Sequence, residues 1–334
     1  MPVFPQSNPL FGLVEMASGL WVSRALWAAA ELGVADAIGD EPAALGDIAA
    51  AAGAREEPLR RLMKALVSVG LFTAEEGGRF GHNETSLFLR SDHPLSQRPF
   101  LRSIFGGEHY AGWGALGRSL NEGGTAFDHL YGQPVFDWYA DHPVEAQAFS
   151  RAMQSTTVLV ETMLMAAWTP PPFEIAVDIG GSGGALVARL LTRAPEARGI
   201  LFDLPEVADA VRSGVVDPRI AVIGGDFFES VPEGDLYLLK LILHDWDDEK
   251  SATILGNIRA AIRPGGRVVI IDALLPQIVG NHPGFLMDLN MMVMTGGKER
   301  TAAEFQALLE TTGFRVESVT PTPTPMGIVQ AVAA

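Results

Sequence analysis

The chain has 334 residues, 48% of them hydrophobic, no cysteine and a formal net charge of −16. That length suggests two domains with ample core, the charge argues against nucleic acid and anionic membranes as partners, and the missing thiols exclude disulfides, zinc–thiolate sites and thiol catalysis. No apolar run reaches the roughly 18 residues of a membrane span, and the opening MPVFPQSNPLF lacks the basic-then-apolar pattern of a secretory leader, so a cytoplasmic protein is expected.

The first third reads as helical. Between Leu10 and Leu32, the residues Leu13, Met16, Leu20 and Trp27 fall on one helical face, which Arg24 interrupts. The run LGDIAAAAGAREEPLRRLMKALVSVGLF then predicts a short helix, a turn at Gly53 and a second helix with Leu59, Leu62, Met63, Leu66 and Val69 on one face. FTAEEGGRFGHNE predicts a small hairpin turning at Gly77 and Gly78, and the three segments together predict a winged helix. Residues 32–90 hold six Lys and Arg against nine Asp and Glu. A recognition helix needs basic flanks to grip phosphates, so packing or dimerisation is the expected use. A helical stretch rich in aromatic residues follows, and TPPPFE at Thr169 to Glu174 breaks it.

Beyond that break the texture becomes α/β. IAVDIGG, RGILFDLP, IAVIGGDFF, DLYLLKLILH and RVVIIDALLP read as strands separated by helices. TAAEFQALLETTGF reads as a helix before two late strands, RVESVT and GIVQAVA. The alternation predicts a parallel, doubly wound sheet.

Glycines follow the first strand and open a helix in VDIGGSGGALVARLL, where backbone can approach a ligand closely. The dinucleotide fingerprint fails, because Gly181 and Gly183 would put Leu186 at its third glycine. Asp178, Gly180 and Gly184 instead resemble the D-x-G-x-G-x-G motif of class I methyltransferases, which bind S-adenosylmethionine. Ser182 replaces the middle glycine, and a positive φ there would strain it. Asp203 ends the second predicted strand, where a carboxylate can bond both ribose hydroxyls. Asp226 ends the third beside Phe227, offering a polar edge and an aromatic face suited to adenine. Each acid alone also reads as a helix N-cap; three at successive strand ends favour a ligand.

DLPEV, GDFF, LKLILHDWDDEK, RPGGRVVIIDALLP and GGKERTAAEF occur in that order. With them the chain resembles, over nearly its whole length, the S-adenosylmethionine-dependent small-molecule O-methyltransferases of the plant caffeate and flavonoid type. Their bacterial relatives modify aromatic polyketides. The resemblance implies a class I, Rossmann-like α/β catalytic domain behind a winged-helix-like dimerisation domain, hence a homodimer. It implies dimerisation over 1–100, a helical connection over 101–170 that contributes to the substrate pocket, and an S-adenosylmethionine-binding catalytic domain over 171–334. It makes His244 the catalytic histidine, with Asp272 and Glu299 as supporting acids. Cofactor contacts then fall on Asp178, Gly180, Asp203, Asp226, Phe227 and Lys240, and substrate contacts on Met153, Thr156, Leu289, Asn290 and Met294. Plant members have Glu where Asp272 stands and often His where Thr156 stands, so their substrate preference is not carried over. Met287, Asn290, Met291 and Met294 share a helix face, either as core or as a pliable wall against a flat aromatic acceptor.

The chemistry agrees with this assignment. In methyl transfer from a sulfonium the leaving group needs no acid, but the acceptor hydroxyl must lose a proton. An imidazole, of unperturbed pKa about 6.5, can take it. A carboxylate, for which Asp272 is the expected one, would fix its tautomer. A lone histidine is ordinarily a cap or a satisfied core residue; the position of His244 at the end of the fourth predicted strand, beside the cofactor acids, favours the base. Asp245, Asp247 and Asp248 read as N-terminal charges of the next helix. No metal is expected, since no acid or histidine cluster has ligand spacing. The expected activity is methylation of a phenolic hydroxyl on a small aromatic natural product. The competitors are a non-methylating relative (hydroxylase, decarboxylase or pericyclase) that keeps the cofactor, and a winged-helix regulator with a small-molecule sensor domain.

Overall fold

The computed structural model describes residues 9–215 and 217–334, apart from the side chains of 158–163 and 165. The leader reading rests on residues 1–8, which lie outside the described residues. The chain forms two compact units, Met1–Tyr110 with Gln147–Thr156, and Ala111–Ala146 with Thr157–Ala334.

The N-terminal segment runs α1 (Pro9–Leu32), α2 (Val34–Ile38), β1 (Ala43–Ala44), α3 (Leu45–Ala51), α4 (Glu56–Ser68), β2 (Phe72–Glu75), β3 (Arg79–His82), α5 (Glu84–Leu87) and α6 (Arg98–Ile104). The strands form an antiparallel sheet in the order β1-β3-β2, with Gly77 and Gly78 turning the hairpin at φ 77° and 75°. Ile48, Leu59, Met63, Leu66, Phe72 and Phe80 interlock as one core, which makes the winged helix. The α1 stripe behaves differently. Leu13, Met16 and Leu20 are 64%, 79% and 52% exposed, so among the described residues this face is left uncovered. Arg24 is not a flaw in the stripe: its guanidinium lies 4.0 Å from the Trp27 ring centre and 4.2 Å from that of Tyr110, a cation–π sandwich.

Next come α7 (Gly107–Gly114), α8 (Leu116–Glu122), α9 (Ala126–Tyr131), α10 (Val135–Asp141) and the long α11 (Pro143–Ala167). The α/β part follows as β4 (Ile175–Ile179), α12 (Ala185–Leu191), β5 (Arg198–Asp203), α13 (Pro205–Val211), β6 (Ile220–Gly224), β7 (Gly234–Lys240), α14 (Asp248–Ala261), β8 (Ile262–Leu275), α15 (Gly284–Met294), β9 (Arg300–Thr301), α16 (Ala302–Thr311), β10 (Phe314–Pro321) and β11 (Met326–Ala333). The sheet order is β10-β11-β8-β7-β4-β5-β6, with β9 parallel to the end of β8. Strands β4 to β8 pair in parallel, as the alternation predicts.

One edge departs from a wholly parallel sheet. β11 pairs antiparallel with both β8 and β10. The connector between β10 and β11 is too short for a crossover, which needs a dozen or more residues, so the chain can only fold back as a hairpin. Alternate side chains feed two cores. Val177, Ile179, Leu239 and Ile270 pack under Ile254, Leu255 and Phe305 on one face, and Ala176, Leu238 and Val269 pack under Leu186, Val187 and Leu190 on the other. α14 stops at Ala261, and Gly265 and Gly266 lie within β8. No helix among the described residues is long and apolar enough to cross a membrane.

Candidate active site

The glycine loop needs its glycines for different reasons. Gly180 and Gly184 take φ of 62° and 72°, and a Cβ on them would stand 2.4 Å from Ile242 Cδ1 and 2.6 Å from Leu201 Cδ1. Ser182 adopts φ 49°, the left-handed region that its place in the motif demands. Asp178 lies inside β4 rather than at its end, and its carboxylate accepts the Val187 N–H at 3.3 Å, tying α12 to the strand. This acid therefore shapes the loop.

Asp203 is the last residue of β5. Its two oxygens accept the Ser182 and Leu204 N–H groups at 2.8 Å, and burial raises its pKa against those bonds. Each oxygen keeps a lone pair, so the carboxylate can accept from both hydroxyls of a diol. Asp226 lies two residues beyond β6 and accepts the Phe228 N–H at 2.8 Å, which fixes the turn presenting Phe227. Lys240 is the last residue of β7. The close-packed glycines, the Asp203 carboxylate and the Phe227 ring fit a nucleoside sulfonium.

β7 ends four residues before His244. Leu241 swings to φ 56°, and His244 sits in a 3₁₀ turn, Leu243–Asp245. The histidine is therefore presented by a turn after the strand, and Ile242, which opens that turn, is the residue packed on Gly180. The imidazole is 7% exposed. Its Nδ1 is 2.8 Å from Glu299 Oε1, and its Nε2 is 3.7 Å from Asp245 Oδ1. Glu299 is itself held by its backbone N–H, which donates to Asp288 on α15 at 2.9 Å.

Two expectations about the acids change here. The tautomer-fixing contact comes from Glu299, not Asp272: Asp272 is buried inside β8 with no hydrogen-bond partner on either oxygen among the described residues. Asp245 is not a helix-end charge but faces the imidazole, whereas Asp247 does cap α14, accepting the Lys250 N–H at 2.8 Å. Asp245 was missed because its type and its place before a helix suit a cap. Its adjacency to His244 was the available signal.

The electrostatics follow from this crowding. Burial opposes a charged imidazole, but Asp245, then Glu299 and Asp272, outweigh it and raise the His244 pKa to about 10. Burial raises Asp272 to about 7 and Asp245 to about 6, against the pull of His244. Protons in this cluster are shared, and a change in one group moves the others.

The residues expected to contact substrate lie on two helices, α11 and α15. Met153 and Thr156 lie on α11 in the first unit, half-buried, and the Thr156 hydroxyl donates to Met153 O at 2.8 Å. Met287, Leu289 and Asn290 lie half-buried on α15 in the second. Asn290 Oδ1 accepts the Trp113 indole N–H at 2.8 Å. Met291 and Met294 are buried, and the Met294 sulfur packs on Gly112, so the C-terminal half of the stripe is core. No His, Asp and Glu group among the described residues is arranged to hold a metal.

The family model described as the O-methyltransferase domain matches residues 113–315, and the one described as the O-methyltransferase dimerisation domain matches residues 14–92. Phenazine O-methyltransferase PhzM of Lysobacter antibioticus is 40% identical over 327 residues, spanning 96% of this chain and 95% of that protein. Human N-acetylserotonin methyltransferase, solved in complex with S-adenosylmethionine, superposes with a TM-score of 0.93 at 29% identity, covering 99% of this chain and 100% of the other. The O-methyltransferase NcsB1 from neocarzinostatin biosynthesis, solved with S-adenosylmethionine and 2-hydroxy-5-methyl naphthoic acid, superposes with a TM-score of 0.80 at 33% identity, covering 94% and 96%. Similarity of this extent through both domains shows that the chain belongs to the S-adenosylmethionine-dependent O-methyltransferase family and is an enzyme that uses this methyl donor.

Proposed function

We propose that this enzyme methylates a phenolic hydroxyl of a small aromatic natural product, with His244 as the general base, as a cytoplasmic homodimer. The observation that carries the reading is the enclosed imidazole held through Nδ1 by Glu299, at the turn that packs on the glycine loop. S-adenosylmethionine supplies an electrophilic methyl group when bound. The protein's share is to orient the acceptor, exclude water and remove one proton.

His244 Nε2 is the nitrogen left for that proton, because Nδ1 is engaged by Glu299. Against the effect of burial, the carboxylates around the ring raise its pKa and so make it a stronger base than a free imidazole, which favours taking a proton from a hydroxyl as acidic as a phenol's. PhzM acts on a phenazine, and the NcsB1 structure holds a hydroxynaphthoic acid; both are aromatic, which supports the acceptor class. The uncovered apolar face of α1, within the match to the family's dimerisation domain, supports the homodimer. In this reading residues 1–100 dimerise, 101–170 form a helical connection that contributes to the pocket, and 171–334 carry catalysis.

The test is mass spectrometry of a panel of phenolic acceptors with the methyl donor, which should show a gain of one methyl group on at least one of them. His244→Ala should slow that reaction by about 100-fold or more, with donor affinity by calorimetry unchanged. A variant that methylates at the parent rate would remove His244 as the base.

A further inference from the structure

We propose that Arg300 is a positioning residue for the reaction, clamping the backbone on both sides of His244. The inference rests on the reading of His244 as the base. Arg300 is fully buried. Its Nη1 donates to Leu243 O at 2.8 Å and to Lys298 O at 3.4 Å. Its Nη2 donates to Trp246 O at 2.9 Å, Asp248 Oδ1 at 2.9 Å and Ser251 Oγ at 3.1 Å, and its Nε donates to Asp248 Oδ1 at 3.0 Å. Leu243 immediately precedes the histidine and Trp246 lies two residues after it, so one planar fork spans the turn.

The neighbouring residues complete the arrangement. Glu299 holds the imidazole by its ring nitrogen, while Arg300, next in the chain, holds the backbone beneath it. Gly297 lies against the same turn so closely that a Cβ there would be 2.0 Å from His244 O. Ser251 is buried, and its hydroxyl lies within reach of Leu243 O at 3.3 Å and Trp246 O at 3.4 Å.

Stability alone does not account for a guanidinium here. A buried charge is costly unless well paired. Its ionic partner Asp248 is 61% exposed, which makes the pair a weak return. What arginine offers that no apolar residue or lysine can is five donors in a rigid plane. Those donors fix the register of the turn, and with it the distance from His244 Nδ1 to Glu299. A misplacement of about 1 Å in a reacting group can cost on the order of 100-fold in rate.

The test compares Arg300→Lys with the parent enzyme and repeats the substitution in a His244→Ala background. Arg300→Lys should lower kcat by about 10- to 100-fold, leave acceptor KM and donor affinity within about twofold, and move the alkaline limb of the kcat/KM profile to lower pH as the Glu299 contact loosens. In His244→Ala the same change should cost under about twofold, because the group it positions is gone. A parent-like kcat, or an equal loss in both backgrounds, overturns the proposal. Full activity of His244→Ala by itself would instead refute the base, a separate result. Should Arg300→Lys fail to fold, Ser251→Ala takes its place. It should lower kcat by about two- to fivefold, on the scale of one lost hydrogen bond, with KM unchanged, and a parent-like kcat there overturns the clamp.

Discussion

At the scale of single residues, the environment of His244, the proposed base, would set the pH dependence of the reaction. An isolated imidazole would be half-neutral near pH 6.5. Burial alone would push that value lower, but Asp245, Glu299 and Asp272 together lift it to about 10. Two consequences follow, of opposite use. The folded-state pKa lies above the unfolded value, so the charged histidine stabilises the fold fully below about pH 6.5, and that stability is lost as pH rises through about 10. In the proposed mechanism the base must be the neutral ring, so kcat/KM should climb through the alkaline range. Glu299→Gln removes one of the groups that raises this pKa and weakens the tether on Nδ1. It should move the alkaline limb to lower pH and reduce kcat by about 10- to 100-fold. A pH–rate profile at saturating donor checks both, and a limb that stays in place would show that Glu299 does not set the histidine's charge. The residue types at this site could be read in HDW and KER. Which acid meets the ring could not, because Glu299 is 55 residues away in the chain and two other acids were equally plausible by type.

At the scale of elements, the strand and helix pattern of the α/β part was readable because each strand is a short apolar run bounded by turn residues. The places where the reading slipped are backbone conformations that composition does not reveal. β7 ends at Lys240 because Leu241 takes a positive φ, although LKLILH is apolar enough to have continued. Such strain in a bulky residue persists only where surrounding contacts enforce it, and here it re-aims the chain into the turn that carries His244. Ser182 carries strain of the same kind at φ 49°. A left-handed conformation costs a non-glycine residue about 1–2 kcal/mol, partly offset by the greater freedom glycine loses on folding. Ser182→Gly should therefore stabilise the protein by about 0.5–1 kcal/mol, read as a higher urea midpoint with an unchanged slope. A lower midpoint would mean that the serine side chain contributes more to the loop than its strain costs.

At the scale of the whole molecule, the uncovered face of α1 is the feature a single chain cannot explain. Leu13, Met16 and Leu20 are more than half exposed along one helix. Covering each large apolar side chain would contribute about 1.5–3 kcal/mol. In the proposed homodimer this face is buried, so Met16→Glu with Leu20→Glu should raise the dimer dissociation constant by at least about 100-fold, measured by sedimentation equilibrium. A double variant that stays dimeric at the parent affinity would place the subunit contact elsewhere.

The amino-acid sequence by itself determined the class of the fold and the position of the glycine loop, because local spacing, strand hydrophobicity and turn chemistry are written over a few consecutive residues; His244 was singled out by the family resemblance of its surrounding motif. Only the tertiary structure decided which carboxylate engages that histidine, that Asp245 faces it, that β11 wedges antiparallel between β8 and β10, and that a buried arginine spans the turn. Most of those outcomes join groups far apart in the chain, which leaves no periodic trace in sequence, and the Asp245 contact depends on the turn geometry that follows β7.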